Sequence, residues 1–212
     1  MSASLRSLGR FISLEGGEGV GKSTQARALH AALSERGMDC VLTREPGGSE
    51  GAEAIRELLL GGEEARWSIR SEALLFAAAR ADHVEKTIRP ALEQGRWVLS
   101  DRFVDSSLAY QGGAGGLGLE PVRALHEFGS EGFVPDRTLV LMLGEGVERA
   151  RARDGAGSDR IGGRPAEYHH QVDEAFRTIA GQEPERVRLV DASGTPERVT
   201  ERLLVALADL LQ

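Results

Sequence analysis

One stretch of this chain constrains its fold more than any other: Gly16-Gly17-Glu18-Gly19-Val20-Gly21-Lys22-Ser23. It spells G-x-x-x-x-G-K-[ST]. An apolar run, Phe11 to Glu15, precedes it and reads as a strand, and Lys22 to Arg36 follows as a helix ended by Gly37. A strand, a glycine-rich turn and a helix in that order form the context in which such a loop grips phosphate. The glycines let the backbone wrap so that several N–H groups converge on one anion. The helix adds the positive end of its dipole. Lys22 is then expected to reach the β- and γ-phosphates of ATP, and Ser23 to offer a hydroxyl to Mg²⁺. Gly16 to Thr24 is the expected ATP-binding segment. A glycine-rich turn with a chance lysine is the competing reading, and lysine usage speaks against it: Lys22 and Lys86 are the only lysines among 26 basic residues.

The rest of the chain alternates short apolar runs with helical patterns, which predicts βαβ units around a parallel sheet. Further strands are expected at Cys40–Thr43, Trp97–Ser100, Thr138–Leu143 and Val187–Asp191. Helices are expected at Glu50–Leu60, Ser68 to about Gln94, Leu119–Phe128, Glu167–Gly181 and Pro196–Leu211. Pro90 predicts a kink or break in the longest of these. No repeat or linker divides the 212 residues, so 1–212 reads as one α/β domain of the P-loop NTPase type, with a five-stranded parallel sheet flanked by helices. Net charge is −7, which implies no broad basic surface for nucleic acid. No segment approaches the ~20 apolar residues of a membrane span, and Met1 to Arg10 lacks a signal-like apolar run. The lone cysteine, Cys40, excludes an intramolecular disulfide and reads as a small buried hydrophobe. A cytoplasmic protein without a membrane or nucleic-acid partner is expected.

Several residues outside the glycine-rich loop suit a second anionic ligand. Asp101 and Arg102 end an expected strand, on the edge where open α/β sheets bind ligands. Asp101 suits a metal or its waters, or a catalytic role in accepting a proton from the acceptor if it carries one, and Arg102 a bidentate phosphate contact. Alone, the pair reads better as a surface ion pair at a strand end; beside the glycine-rich loop the functional reading is favoured. Arg44 precedes Glu45-Pro46-Gly47-Gly48, a loop expected at the same sheet edge. Phe76 and Arg80 are four apart on a helix and share a face, which could suit a stacked base with a donor at its edge; by spacing alone, core packing is the commoner explanation of a Phe on an Ala/Leu-rich helix. Arg149, Arg151, Arg153, Arg160 and Arg164 lie in a stretch carrying Gly155, Gly157, Gly162 and Gly163. That stretch, near 149–165, reads either as a mobile arginine-bearing lid over a phosphoryl-transfer site or as a solvated loop. His169 and His170 read as surface positions.

A GTPase switch would need a guanine-reading NKxD element, and none occurs. Asp191-Ala-Ser-Gly194 spells DxxG but reads as a strand end and a turn. Kinases for other nucleotides or nucleosides, a nucleotide-dependent binding switch and a catalytically silent relative remain open on the residues alone.

EGGEGVGKST (15–24), TREPGG (43–48), ALLFAAAR (73–80), SDRF (100–103), SSLAYQGG (106–113), PD (135–136), RARARD (149–154) and DR (159–160) resemble the motifs of the bacterial-type thymidylate kinase family, in order and over almost the whole chain. The resemblance implies transfer of the γ-phosphate of ATP to dTMP with Mg²⁺, in a homodimer. By that resemblance Glu18 sits near the acceptor sugar or its metal, and Arg44 and Arg102 hold the acceptor phosphate. Phe76 stacks on thymine and Arg80 bonds its edge. Ser106, Ser107 and Gln111 line the base pocket, and Tyr110 lies under the sugar. Because this phosphate loop contains no arginine, the resemblance assigns that task to the lid: Arg149 and Arg160 beside ATP, Arg151 and Arg153 in catalysis. The chain departs from the pattern after Asp159-Arg160, where Ile161-Gly162-Gly163-Arg164 replaces the usual acidic continuation.

Overall fold

The computed structural model describes residues 9–144 and 160–211. Five strands form one parallel sheet: β1 (Phe11–Gly16), β2 (Cys40–Arg44), β3 (Trp97–Asp101), β4 (Arg137–Met142) and β5 (Val187–Asp191), in the order β2-β3-β1-β4-β5. Successive side chains on each strand alternate between faces. Phe11, Val98 and Val140 enter one core with Phe103 and Phe176; Ile12, Leu99 and Leu139 enter the other with Leu29, Leu33 and Leu203. A parallel sheet needs cover on both faces, and helices supply it. The helices are α1 (Lys22–Glu35), α2 (Glu50–Leu60), α3 (Ile69–His83), α4 (Arg89–Glu93), α5 (Val104–Ser107), α6 (Leu119–Ser130), α7 (Ala166–Gln182) and α8 (Pro196–Ala206).

Local signals account for most boundaries. The Ser49 and Ser68 side chains cap α2 and α3 by accepting from the amides of Ala52 and Ser71. Gly37 follows α1 at φ 80°, a conformation open to glycine at little cost. The helix expected from Ser68 to Gln94 is interrupted ahead of Pro90: α3 widens into a π-helical turn over Val84–Ile88 before α4.

The structure adds an element absent from the sequence reading. Residues 104–114 form α5 and a π-helical continuation, Leu108–Ala114. Its Ser- and Gly-rich sequence has weak helical propensity, so tertiary packing sustains it. Leu108, Ala109 and Tyr110 are buried in the core beneath α7, and a Cβ on Gly113 would lie 2.6 Å from that of Ala175.

The register of the sheet brings the ligand-bearing loops together. Arg44 is level with Asp101 across β2 and β3, and Leu14 is level with Asp101 across β1 and β3. The glycine-rich loop, the Glu45–Gly48 loop and the Asp101-Arg102 turn therefore leave the same edge. Gly113→Val should destabilise the protein by about 1–3 kcal/mol, because the α5 continuation has no room to move away from α7. Urea unfolding checks this, and an unchanged midpoint would contradict the close packing.

Candidate active site

At the carboxyl edge of β1, Gly16, Gly19 and Gly21 take φ values of 137°, 71° and 92°, so the loop closes on itself where only glycine fits easily. A side chain at Gly16 would meet the Leu141 carbonyl of β4 at 2.5 Å. Lys22 is buried at the start of α1, and its Nζ donates to the Gly17 carbonyl at 2.5 Å. Burial, with Arg102 adding to it, pushes the Lys22 ammonium down to about 8. Ser23 Oγ donates to Asp101 Oδ2 at 2.6 Å, joining the α1 terminus to the end of β3.

Arg102 occupies the centre of the site. Its φ is 75°, a left-handed conformation uncommon outside glycine. Its Nη1 donates to the Gly16 carbonyl and to Ser106 Oγ at 3.2 and 3.0 Å. Its Nη2 donates to Glu18 Oε1 and Tyr110 Oη at 2.5 and 3.2 Å, and the guanidinium lies 5.0 Å from the Tyr110 ring centre. The Tyr110 hydroxyl in turn donates to Glu18. Desolvation works to raise the Glu18 carboxyl, but Arg102 and then Lys22 outweigh it and hold that group down to about 2.

A cleft of about 410 Å³ runs from the glycine-rich loop to α3, within the size range of small-molecule sites. Glu18, Gly19, Gly21, Lys22, Ser23 and Thr24 line one end. Arg44, Asp101, Arg102, Ser106 and Tyr110 line the middle, and Phe76, Ser107, Gln111, Leu60 and Ile161 the other end. The structure thus brings the expected residues of the glycine-rich loop, the β2 and β3 ends, α3 and residues 106–111 to one cleft, apart from those named below. Arg44 is exposed and paired with Glu53 Oε2 at 3.1 Å. Phe76 is half-buried rather than lost in the core. Gly16, Gly17 and Val20 belong to the loop without lining the cleft.

Two expected residues stand elsewhere. Arg80 lies behind the wall, buried, with Nε donating to Glu45 Oε2 and Nη2 to Ser107 Oγ, both at 2.8 Å. Arg160 was expected beside the ATP phosphates. It is instead buried against Glu72 at the far end of the cleft, with Nε donating to the Leu59 carbonyl at 2.9 Å. Arg149, Arg151 and Arg153 lie outside the described residues. His170 is exposed as expected, but His169 is half-buried against the Tyr168 ring. Among the described residues no group of three or more His, Cys, Asp or Glu side chains could hold a metal, and no helix is long and apolar enough to cross a membrane.

Three buried acidic residues of the site, one lining the cleft and two behind it, were not expected from sequence. Glu45 pairs with Arg80 and His83, and Glu72 with Arg160 and Arg164. Glu15 accepts from the Phe103 amide at 2.7 Å and from Ser106 Oγ at 2.5 Å. A signal existed for two of them: Glu15 interrupts an apolar strand, and Glu72 shares a helix face with Phe76 and Arg80.

This sheet order, with a lysine-bearing phosphate loop and an arginine-bearing second ligand site in one cleft, defines a phosphotransferase of the P-loop nucleotide-kinase class. Comparison with known proteins narrows the class. The family model described as "Thymidylate kinase" matches residues 14–203. A thymidylate kinase of Rhizorhabdus wittichii is 62% identical over 205 residues, 96% of this chain and 99% of that one. A thymidylate kinase of Symbiobacterium thermophilum is 49% identical over 201 residues, 95% and 94% of the two chains. The crystal structure of thymidylate kinase from Ehrlichia chaffeensis aligns with a TM-score of 0.77 at 29% identity, covering 94% of this chain and 98% of that one. The chain belongs to the thymidylate kinase family.

Burial, with Asp105 adding to it, pushes the Glu15 carboxyl up from 4.5 to about 8. A carboxyl raised in this way keeps its proton in the folded chain after the unfolded chain has lost it, so its contribution to stability falls as pH rises between those two values. Glu15→Gln cannot ionise, and its unfolding free energy should vary less with pH than that of the parent across that window. Urea titrations at about pH 5 and about pH 8 test this; parallel behaviour of the two proteins would refute it.

Proposed function

We infer that this protein transfers the γ-phosphoryl group of ATP to dTMP, giving dTDP for dTTP synthesis. The observation that carries this reading is one cleft lined by both Lys22 and Phe76, with Arg102 between them. ATP places its phosphates in the glycine-rich loop. The acceptor phosphate lies against Arg102 and Arg44, its sugar over Tyr110, and its base between Phe76 and the Ser107–Gln111 wall. The Tyr110 ring beneath the sugar disfavours a ribose 2′-hydroxyl. Arg80 acts from behind the wall, where it fixes the Ser107 hydroxyl.

The acceptor phosphate is already anionic, so no strong general base is needed. Transfer proceeds in line, by positioning and charge neutralisation. Lys22 leaves the Gly17 carbonyl for the phosphates, whose negative charge favours its ammonium form. Arg102 is freed to the acceptor phosphate from its bonds to Glu18 and Tyr110. Ser23 and Asp101, a hydroxyl and a carboxylate already in contact, form a hard-oxygen pair suited to Mg²⁺ held jointly with nucleotide phosphates. An ion held by Ser23 and Asp101 would supply neutralisation of phosphate charge. Arg149, Arg151 and Arg153 serve as the closing cations of a lid; Arg160, committed to Glu72, is withdrawn from that set. Use of ATP as donor supports a cytoplasmic location.

The protein acts as a homodimer. α3 packs between α2 and α6, and each of the three exposes a large apolar side chain: Leu58, Leu74 and Phe128, the last 93% exposed. A second copy of the chain is the natural cover for such a layer.

Lys22→Ala should lower kcat by about a hundredfold or more with the fold retained by circular dichroism. Coupled ADP release with dTMP, dUMP, UMP, dCMP, AMP and thymidine as acceptors tests the assignment: dTMP should be preferred. Turnover independent of any acceptor would replace the kinase reading with that of a nucleotide switch. Phe128→Glu should shift the protein from dimer to monomer in light scattering, and a wild-type monomer would refute the dimer.

A further inference from the structure

Glu72 lies fully buried in the first turn of α3 and gathers three donors from separate parts of the chain. Arg160 Nη2 and Arg164 Nη2 both donate to its Oε2, at 2.5 and 2.8 Å. Its Oε1 receives the side-chain amide of Gln111, with Nε2 at 2.8 Å. The two arginines are themselves anchored. Arg160 holds the Leu59 carbonyl at the end of α2, and Arg164 lies over the Tyr168 ring and donates to its hydroxyl. That hydroxyl donates to the Tyr110 carbonyl at 2.7 Å. With Oε2 taken twice, only Oε1 is left for Gln111.

This arrangement decides which way the Gln111 amide faces. A carboxylate set against two guanidinium groups offers lone pairs alone, so the Gln111 atom beside it is the NH₂ group. The amide carbonyl must then turn away from Glu72. Among the described residues nothing donates to it, although Gln111 is only 1% exposed. Gln111 lines the cleft beside Phe76 and Ser107.

We propose that Glu72 is a positioning residue for acceptor selection: it holds the Gln111 carbonyl toward the cleft, so that the site takes a pyrimidine carrying hydrogen on N3, thymine or uracil, in preference to cytosine. The inference rests on the reading of this end of the cleft as the acceptor-base pocket. Once N1 carries the sugar, N3–H is the sole ring N–H of thymine and uracil. Cytosine has a lone pair at that position. A carbonyl facing a lone pair leaves two buried acceptors unpaired, a mismatch that a site built for a donor rejects strongly. Arg160 and Arg164 contribute by fixing the Glu72 carboxylate, which gives the Ile161-Gly162-Gly163-Arg164 departure from the family pattern a role in this chain.

Glu72→Gln tests the proposal, because glutamine can either accept or donate and so lets the Gln111 amide turn over. Steady-state kinetics with dTMP, dUMP and dCMP at saturating ATP should show the dTMP:dCMP ratio of kcat/KM falling by about tenfold or more, mainly through KM. The dTMP:dUMP ratio should stay as in wild type, since N3 is alike in both. Glu72→Asp, still acceptor-only, should retain more of the preference against dCMP than Glu72→Gln. Gln111→Leu keeps the carboxylate and both arginines; it should lose the same discrimination, and it decides the matter if Glu72→Gln does not fold. An equal loss with all three acceptors in Glu72→Gln would reduce Glu72 to a structural anchor and overturn the proposal, as would an unchanged dTMP:dCMP ratio in Gln111→Leu. Wild-type protein that uses the three acceptors equally would instead refute the base-pocket reading on which the proposal stands.

Discussion

The Arg102 amide donates to the Leu14 carbonyl at 2.9 Å, which carries the pairing of β3 with β1 one residue beyond the end of the strand. The chain must then turn at once, and Arg102 does so at φ 75°. That conformation costs on the order of 1–3 kcal/mol in a residue with a Cβ. Glu15 offsets the cost, accepting from the next amide, Phe103, and from the Ser106 hydroxyl. The turn thus aims the guanidinium back across the sheet edge to the Gly16 carbonyl and Glu18. Had β3 ended one residue earlier, Asp101 would not reach Ser23, nor Arg102 the glycine-rich loop. Both ligand sites depend on this one register.

Around that turn the cleft is stiffened by buried carboxylates, each committed to at least one arginine or backbone donor. Glu45 holds Arg80, Glu72 holds Arg160 and Arg164, and Asp105 holds Arg186 with Thr138. Arginine suits this use because its planar fork meets two acceptors at once and stays charged when buried. Removing one partner of such a pair strands a charge and costs about 3–5 kcal/mol, so the walls hold their shape while phosphates exchange. The pairs nearest the phosphates differ. Lys22 rests on a carbonyl, and Arg102 on the partly exposed Glu18. In the proposed function an incoming phosphate takes the place of both contacts.

The linear chain was informative wherever a function needs a fixed local pattern. The glycine-rich loop has to be contiguous because its amides must converge on one anion, and the five strands carry the apolar runs of a sheet buried on both faces. Asp101 and Arg102 could be placed because they end such a strand, and Pro90 because it removes a helical donor. Helix 104–114 was not legible: its Ser- and Gly-rich sequence forms a helix through contact with α7, far along the chain.

The sequence by itself determined the sheet, the phosphate loop and the set of arginines available, since each follows from local propensity, spacing or composition. Only the tertiary structure decided which arginine serves which charge. Arg102 faces the glycine-rich loop 84 positions from Glu18, and Arg160 meets Glu72 from 88 positions away. Long-range ion pairs leave no periodicity in the chain. They form where the sheet register and the helix packing bring opposite charges into one buried place, and there the cost of burying either charge alone selects its partner.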